Sequence, residues 1–288
     1  MFKGSYVAIV TPFKNGKVDA KKFKQLVDFQ IQNGTNGIVP AGCTGEAATL
    51  DHEEQKRFVK LTCEIVDKRV PVIAGAGSNS TEEAISLTRY ARKAGCDGVL
   101  SITPYYNKPT SEGQYRHYAA IAKKVNIPIV VYNVPSRTGI SMKPETVARL
   151  SKIDNVIAIK EASGSLDQVS QILSLCDITV LSGDDSLTLP MMAVGAEGAV
   201  SVVANLVPQE VHDMVFSFLE GATGRAKELH YKLLPLCKAM FIETNPIPVK
   251  TAMKMLRRLN GELRLPLCGM TKDNEAKLKK ALKNYGML

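Results

Sequence analysis

Short runs of β-branched and apolar residues alternate along this chain with longer stretches in which apolar positions recur every three or four residues. The runs fall at 6–10, 37–40, 71–74, 98–102, 128–132, 156–160, 178–181 and 198–202, the length and composition of buried strands. Between them, segments such as 20–32, 52–67, 81–94, 111–125 and 144–150 carry the helical period, several opened by cap-type residues. In Ser80-Thr81-Glu82-Glu83 the serine stands three residues before a glutamate, the spacing of a capping box. Gly34, Gly95 and Gly195 mark helix exits, where a left-handed residue closes the last turn.

Strand–helix alternation requires crossover connections, and these make the strands parallel. Eight such units predict an α/β fold, a closed (β/α)8 TIM barrel. An open doubly wound sheet would advertise a phosphate loop, and no GxGxxG or Walker motif occurs; Gly75-Ala76-Gly77 is only a partial glycine turn. Beyond about Gly221 the pattern is helical alone, at 223–237, 248–259 and 272–284. The chain is therefore divided into a catalytic barrel, 1–222, and a small C-terminal helical region, 223–288.

Composition narrows the function classes. With 45% hydrophobic and 23% charged residues among 288, the chain can bury a large core. It shows no signal-peptide core and no run of membrane-spanning length, so a cytoplasmic protein is expected, without a membrane partner. Six cysteines, at 43, 63, 96, 176, 237 and 268, form no CxxC pair and read as reduced core residues. The four histidines are isolated, so no metal is assigned. The net charge of +9 comes from lysines and arginines spread along helical segments, never interleaved with aromatics. That argues against nucleic acid and leaves a positive field that favours small anionic substrates.

In a parallel barrel, catalytic groups come from the carboxyl ends of strands. Lys160 ends the run Val156-Ile157-Ala158-Ile159, where desolvation lowers an ammonium pKa and leaves a neutral amine able to form a Schiff base. The competing reading is a lysine that snorkels to solvent and pairs with Glu161. Gly42-Cys43-Thr44-Gly45-Glu46 can turn backbone amides inward and add the Thr44 hydroxyl, a cradle for a carboxylate, or it is simply a tight turn. Glu46 is expected to support that loop. Tyr132 ends its run with a phenol aimed across the mouth toward Lys160, placed to move protons, unless it is an ordinary amphipathic tyrosine. Tyr105-Tyr106 could pack or form a subunit contact. Arg137, in a loop bounded by Pro and Gly, offers a fork for a second carboxylate or is a surface arginine. The last two strands deliver Ser182-Gly183-Asp184-Asp185 and Ser201-Val202.

Several of these motifs together resemble the dihydrodipicolinate synthases, of the pyruvate-dependent class I aldolase family that also contains N-acetylneuraminate lyase. The residues that carry the resemblance are 8–13, 42–46, 103–107, 132–139, 159–164 and 182–185, and it extends over nearly the whole chain. It implies a lyase in which Lys160 condenses with pyruvate while Tyr132 shuttles protons. The pyruvate carboxylate would rest on the Cys43 and Thr44 amides and the Thr44 hydroxyl, with Gly183 and Val202 as further substrate-binding positions. The enamine would attack L-aspartate 4-semialdehyde, held through its carboxylate by Arg137, to give 4-hydroxy-tetrahydrodipicolinate on the diaminopimelate and lysine route. No metal or dissociable cofactor is implied beyond the covalent imine. Tyr106 would reach into a neighbouring subunit's site, which implies a homotetramer built as a dimer of dimers. The family usually has Thr or Ser at the position of Cys43, linking the two tyrosines in a proton relay, and a thiol is the weaker partner. A lysine effector site is matched by Ala48, His52, Asn79, Glu83 and Tyr105, with Gln55 where a basic or histidine residue is often found. Two alternatives stand beside the synthase: another pyruvate-dependent aldolase of the same family, or a degenerate protein that binds pyruvate or lysine without turnover.

Overall fold

Eight of the strands assemble into one parallel sheet that closes on itself. The computed structural model describes residues 2–288. In chain order the strands are β1 Gly4–Ala8, β2 Phe13–Lys14, β3 Lys17–Val18, β4 Gly37–Val39, β5 Ile73–Gly75, β6 Gly98–Ile102, β7 Ile129–Asn133, β8 Val156–Glu161, β9 Thr179–Ser182 and β10 Gly198–Ser201. The helices are α1 Ala20–Gln32, α2 His52–Val66, α3 Thr81–Ala94, α4 Ser111–Lys124, α5 Pro135–Thr138, α6 Pro144–Leu150, α7 Leu166–Leu175, α8 Thr188–Ala193, α9 Pro208–Leu219, α10 Thr223–Ala239, α11 Ile247–Met255 and α12 Lys272–Tyr285. The sheet runs β4-β1-β10-β9-β8-β7-β6-β5. A parallel bridge between Ile38 and Val72 joins its two ends, flanked by the Ile38 amide on the Pro71 carbonyl and the Gly75 amide on the Pro40 carbonyl, each 2.9 Å.

Both faces of every barrel strand are covered, which is why the strands read as unbroken apolar runs rather than alternating ones. Successive side chains point to opposite faces. Ala8, Val39, Leu100, Val130, Ala158 and Leu181 fill the barrel interior, whereas Val131 and Ile159 pack outward against the helices. Leu229, Leu236, Val249 and Leu278 from the C-terminal helices join that same outer cluster, so these helices extend the barrel's own core.

Several local details differ from the sequence expectation. The antiparallel pair β2–β3 has no counterpart in the predicted strands. It turns at Asn15-Gly16, with φ of 53° and 73°, the left-handed pair that a two-residue hairpin loop requires. At the start of α3 the capping box is half-formed. Ser80 accepts the Glu83 amide at 3.5 Å, but the Glu83 carboxylate takes the Ser78 hydroxyl at 2.7 Å instead of reaching back. Only Cys96 and Cys237 are buried; Cys268 is exposed, and all six thiols are free. Among the described residues no helix is long and apolar enough to cross a membrane.

Candidate active site

Alternation along β8 decides which way Lys160 points. Ala158 faces the interior, so Lys160, two residues on, does too, and Ile159 and Glu161 face out. The Glu161 carboxylate lies on the outer face, where it accepts from Asn133 Nδ2 at 3.0 Å, Gln168 Nε2 at 3.1 Å and the Ser163 amide at 2.7 Å. The snorkelling reading with Glu161 as partner is therefore corrected: the strand places the two side chains on opposite sides of the barrel wall. Lys160 is 5% exposed, and burial pulls its ammonium down from 10.5 to about 8, against the opposing pull of Cys43 and Asp185. Its amine stands 4.3 Å from the ring centroid of Tyr132, its register partner on β7. Burial pushes the Tyr132 phenol well above its ordinary value, and Cys43 beside it adds in the same direction, so the group is a neutral proton donor.

Gly183 makes room for this amine. A Cβ built there would stand 2.8 Å from both Lys160 Cε and Ala162 Cβ, so a side chain would displace the lysine. Two residues on, buried Asp185 accepts the Val202 and Val203 amides that follow β10, at 2.9 Å each, and so holds the Val202 turn, which lines the cavity. Burial raises the Asp185 pKa, and these amides oppose that shift.

The loop after β4 is fixed from far away in sequence. Thr44 is buried, and its hydroxyl oxygen accepts from Asn245 Nδ2 at 2.9 Å, which leaves the hydroxyl proton free to donate into the cavity. Neither the Cys43 nor the Thr44 amide donates to a described residue. Glu46, at φ 55°, forms a fully buried ion pair with Lys250 of α11. Lys250 also donates to the Thr11 carbonyl at 3.0 Å, and the Arg264 amide reaches Glu46 at 3.3 Å. The Phe13 ring lies 4.5 Å from the Lys250 amine and 4.2 Å from the Arg264 guanidinium. The supporting role expected of Glu46 is thus present, but its partners come from the C-terminal region, to which the sequence reading assigned no part in the site.

Arg137 sits in the short helix α5 rather than in a loop, and its Nη2 donates to the Asn245 carbonyl at 2.8 Å. A cavity of about 700 Å³ at the mouth is lined by Cys43, Thr44, Tyr132, Arg137, Lys160, Gly183 and Val202 together. Mixed apolar walls with a few converging polar groups suit a small anionic ligand. A second cavity of about 510 Å³ shares Cys43, Tyr132 and Arg137 and takes in Ala48, His52, Glu83 and Tyr105. Asn79 is outside its lining; the Asn79 carbonyl accepts from Asn107 Nδ2 at 2.9 Å. Tyr106 is 88% exposed and does not enter either cavity of its own chain. Asn245 and Lys250 are the site residues that the sequence reading did not single out, and Asp185 stood there within a quoted motif without a role of its own.

Comparison with known proteins gives the same picture throughout. The model of the dihydrodipicolinate synthetase family matches residues 1–285. A 4-hydroxy-tetrahydrodipicolinate synthase of Geobacter sulfurreducens is 58% identical over the full length of both chains. A crystal structure of a dihydrodipicolinate synthase superposes with a TM-score of 0.98 at 54% identity over 100% of both chains. The corresponding enzyme from Aquifex aeolicus superposes with a TM-score of 0.98 at 47% identity, over 99% of each.

Proposed function

The chain belongs to the dihydrodipicolinate synthetase family, and from that premise we propose how its site performs the reaction. The enzyme is a lyase that condenses pyruvate with L-aspartate 4-semialdehyde to 4-hydroxy-tetrahydrodipicolinate, on the route to diaminopimelate and lysine. The observation that carries the assignment of roles is a buried lysine amine, at a pKa of about 8, standing over the ring of a neutral phenol in the wall of the cavity at the barrel mouth.

Lys160 attacks the keto carbon of pyruvate. Tyr132 returns a proton to the carbinolamine oxygen, water leaves, and the imine forms. The pyruvate carboxylate rests on the Cys43 and Thr44 amides and the Thr44 hydroxyl, which Asn245 orients by donating to its oxygen. The Tyr132 phenolate left by that donation takes a proton from the methyl carbon to give the enamine, and the protonated imine nitrogen serves as the electron sink, so neither metal nor organic cofactor is required. The enamine attacks the aldehyde, whose own carboxylate is bound by the Arg137 guanidinium. The adduct cyclises and releases Lys160. Gly183 and Val202 shape the wall against which the nucleophile lies, while Cys43 replaces a hydroxyl in the relay toward a tyrosine.

The quaternary arrangement and compartment belong to the same proposal: a cytoplasmic homotetramer, a dimer of dimers, in which the exposed Tyr106 completes the site of the adjoining subunit. The cavity holding Ala48, His52, Glu83 and Tyr105, with Asn79 beside it, would take the lysine effector. The relatives carry the synthase activity by name, and the intact set Lys160, Tyr132, Thr44 and Arg137 supports neither a sister aldolase nor a binding-only protein. Borohydride reduction in the presence of pyruvate, followed by peptide mass mapping, should place the adduct on Lys160. Condensation with the semialdehyde is assayed separately. An unmodified Lys160, or product formation by Lys160→Met, would overturn these roles.

A further inference from the structure

Two thiols that the condensation does not use lie against each other at the opposite end of the barrel from its mouth. Cys63 is in the last turn of α2, and Cys96 follows α3 just before β6. Both positions are at the foot of the barrel, because each helix runs back from the carboxyl end of its strand. Although 33 residues apart in sequence, their sulfurs are 3.4 Å apart. Cys96 is buried and Cys63 only half-buried. Beside Cys63 opens a cavity of about 430 Å³ whose wall carries Lys60, Lys68 and Lys93 together with Glu64, Asp67 and Asp97.

We propose that Cys63 and Cys96 form a thiol–disulfide exchange site, which takes a small zwitterionic disulfide of the glutathione type and is converted to an internal disulfide. Lys60 faces Glu64 at 3.6 Å and Lys68 faces Asp97 at 4.0 Å, exposed pairs of little strength that a ligand bearing both carboxylates and ammonium groups can exchange for its own, with Lys93 and Asp67 beside them. One accessible thiol backed by one buried thiol is the arrangement of a nucleophile with its resolving partner. The electrostatics agree with this division. The hydrogen bond from Cys96 holds the Cys63 thiol below its ordinary value, and Lys68 adds to that effect. The same hydrogen bond and burial push the Cys96 thiol up, so Cys63 ionises first.

The exchange balances in two steps. The Cys63 thiolate attacks one sulfur of the small disulfide; its sulfur–sulfur bond breaks, and one small thiolate leaves and is protonated by water. Cys96 then gives its proton to solvent, its sulfur attacks Cys63 Sγ, and the second small thiolate departs. Two protein thiols are oxidised and one external disulfide is reduced to two thiols. Oxidation joins the end of α2 to the foot of β6 and leaves the mouth of the barrel untouched.

The test is incubation of the intact enzyme with oxidised glutathione, followed by thiol titration under denaturing conditions and peptide mass mapping. The wild type starts from six cysteines. On a Cys268→Ser background, which removes the exposed thiol, the enzyme should lose the Cys63 and Cys96 thiols from the titration, with those two peptides cross-linked and no retained glutathione on them. Cys96→Ser should instead hold glutathione on Cys63, and Cys63→Ser should leave Cys96 unmodified; catalytic activity reports whether each variant is folded. Cys63 and Cys96 thiols both left free on that background, a glutathione adduct that persists on Cys63 beside a free Cys96, or equal modification of Cys96 in Cys63→Ser would each overturn the proposal.

Discussion

Capture of pyruvate by Lys160 should depend steeply on pH below 8 and level off above it. The amine is pulled from 10.5 to about 8 by burial. At pH 7 this leaves about one molecule in eleven neutral, where an ordinary lysine would be neutral in roughly one in three thousand, a gain of about 300-fold in nucleophile. The shift corresponds to about 3 kcal/mol of disfavoured charge in the folded state. Between the two pKa values the unfolded chain binds more protons than the folded one, so stability rises with pH across that window. Below about 8 the full cost is present, and above about 10.5 it is gone. Two measurements follow. Initial rates of borohydride-trappable adduct should fall about tenfold from pH 7 to pH 6 and be nearly flat from pH 9 to pH 10. Lys160→Met, which abolishes trapping, should melt above the wild type at pH 7 and lose most of that advantage near pH 10. A trapping rate that climbs tenfold per unit up to pH 10, or a Lys160→Met variant less stable than the wild type at pH 7, would refute the argument that the amine is held in a desolvated site.

Lys250→Met should cost about 3–5 kcal/mol by leaving Glu46 buried and uncompensated, seen as a drop of roughly 6–10 °C in Tm at about 2 °C per kcal/mol; the double variant with Glu46→Gln should recover most of it. Gly183→Ala brings a methyl into contact with Lys160 Cε and Ala162 Cβ, so it should lower the trapping rate with pyruvate while costing only about 1–3 kcal/mol in denaturant titration. Arg137→Ala should raise KM for aspartate semialdehyde about 10- to 100-fold, from the loss of hydrogen bonds to a charged group, with pyruvate trapping unchanged; equal losses for both substrates would remove Arg137 from the aldehyde subsite. Cys43→Thr should give equal or higher turnover in the coupled assay, and a collapse without unfolding would show that the thiol is needed.

The barrel was legible because strands buried on both faces must be apolar at every position, and eight such runs stand out between helical periods. Lys160 and Tyr132 were legible because each is the first polar group to break an apolar run near its carboxyl end; that they face inward, while Glu161 and Asn133 beside them face outward, came only from the strand register. What the pattern could not show is which distant segments close over the mouth. Lys250 and Asn245 lie in stretches with no strand and no motif, and their meaning comes from Glu46 and Thr44, 204 and 201 residues away. A lysine directly after the apolar run Ile247-Pro248-Val249 was the available signal. The Asn15-Gly16 pair is a hairpin signal that the sequence reading did not use, because the flanking strands are two residues each, too short for periodicity to register. Arg137 read as a loop residue because a helix of four residues has no period to detect.

The clamp formed by Lys250 on Glu46 and Thr11, and by Asn245 on Thr44, spans separations of 201 to 239 residues. Protein synthesis runs from the amino terminus, so the strand bearing Lys160 is made well before the segment that locks its anion cradle. Competence for the reaction thus arrives late in translation, when the ribosome has released the segment around residue 250.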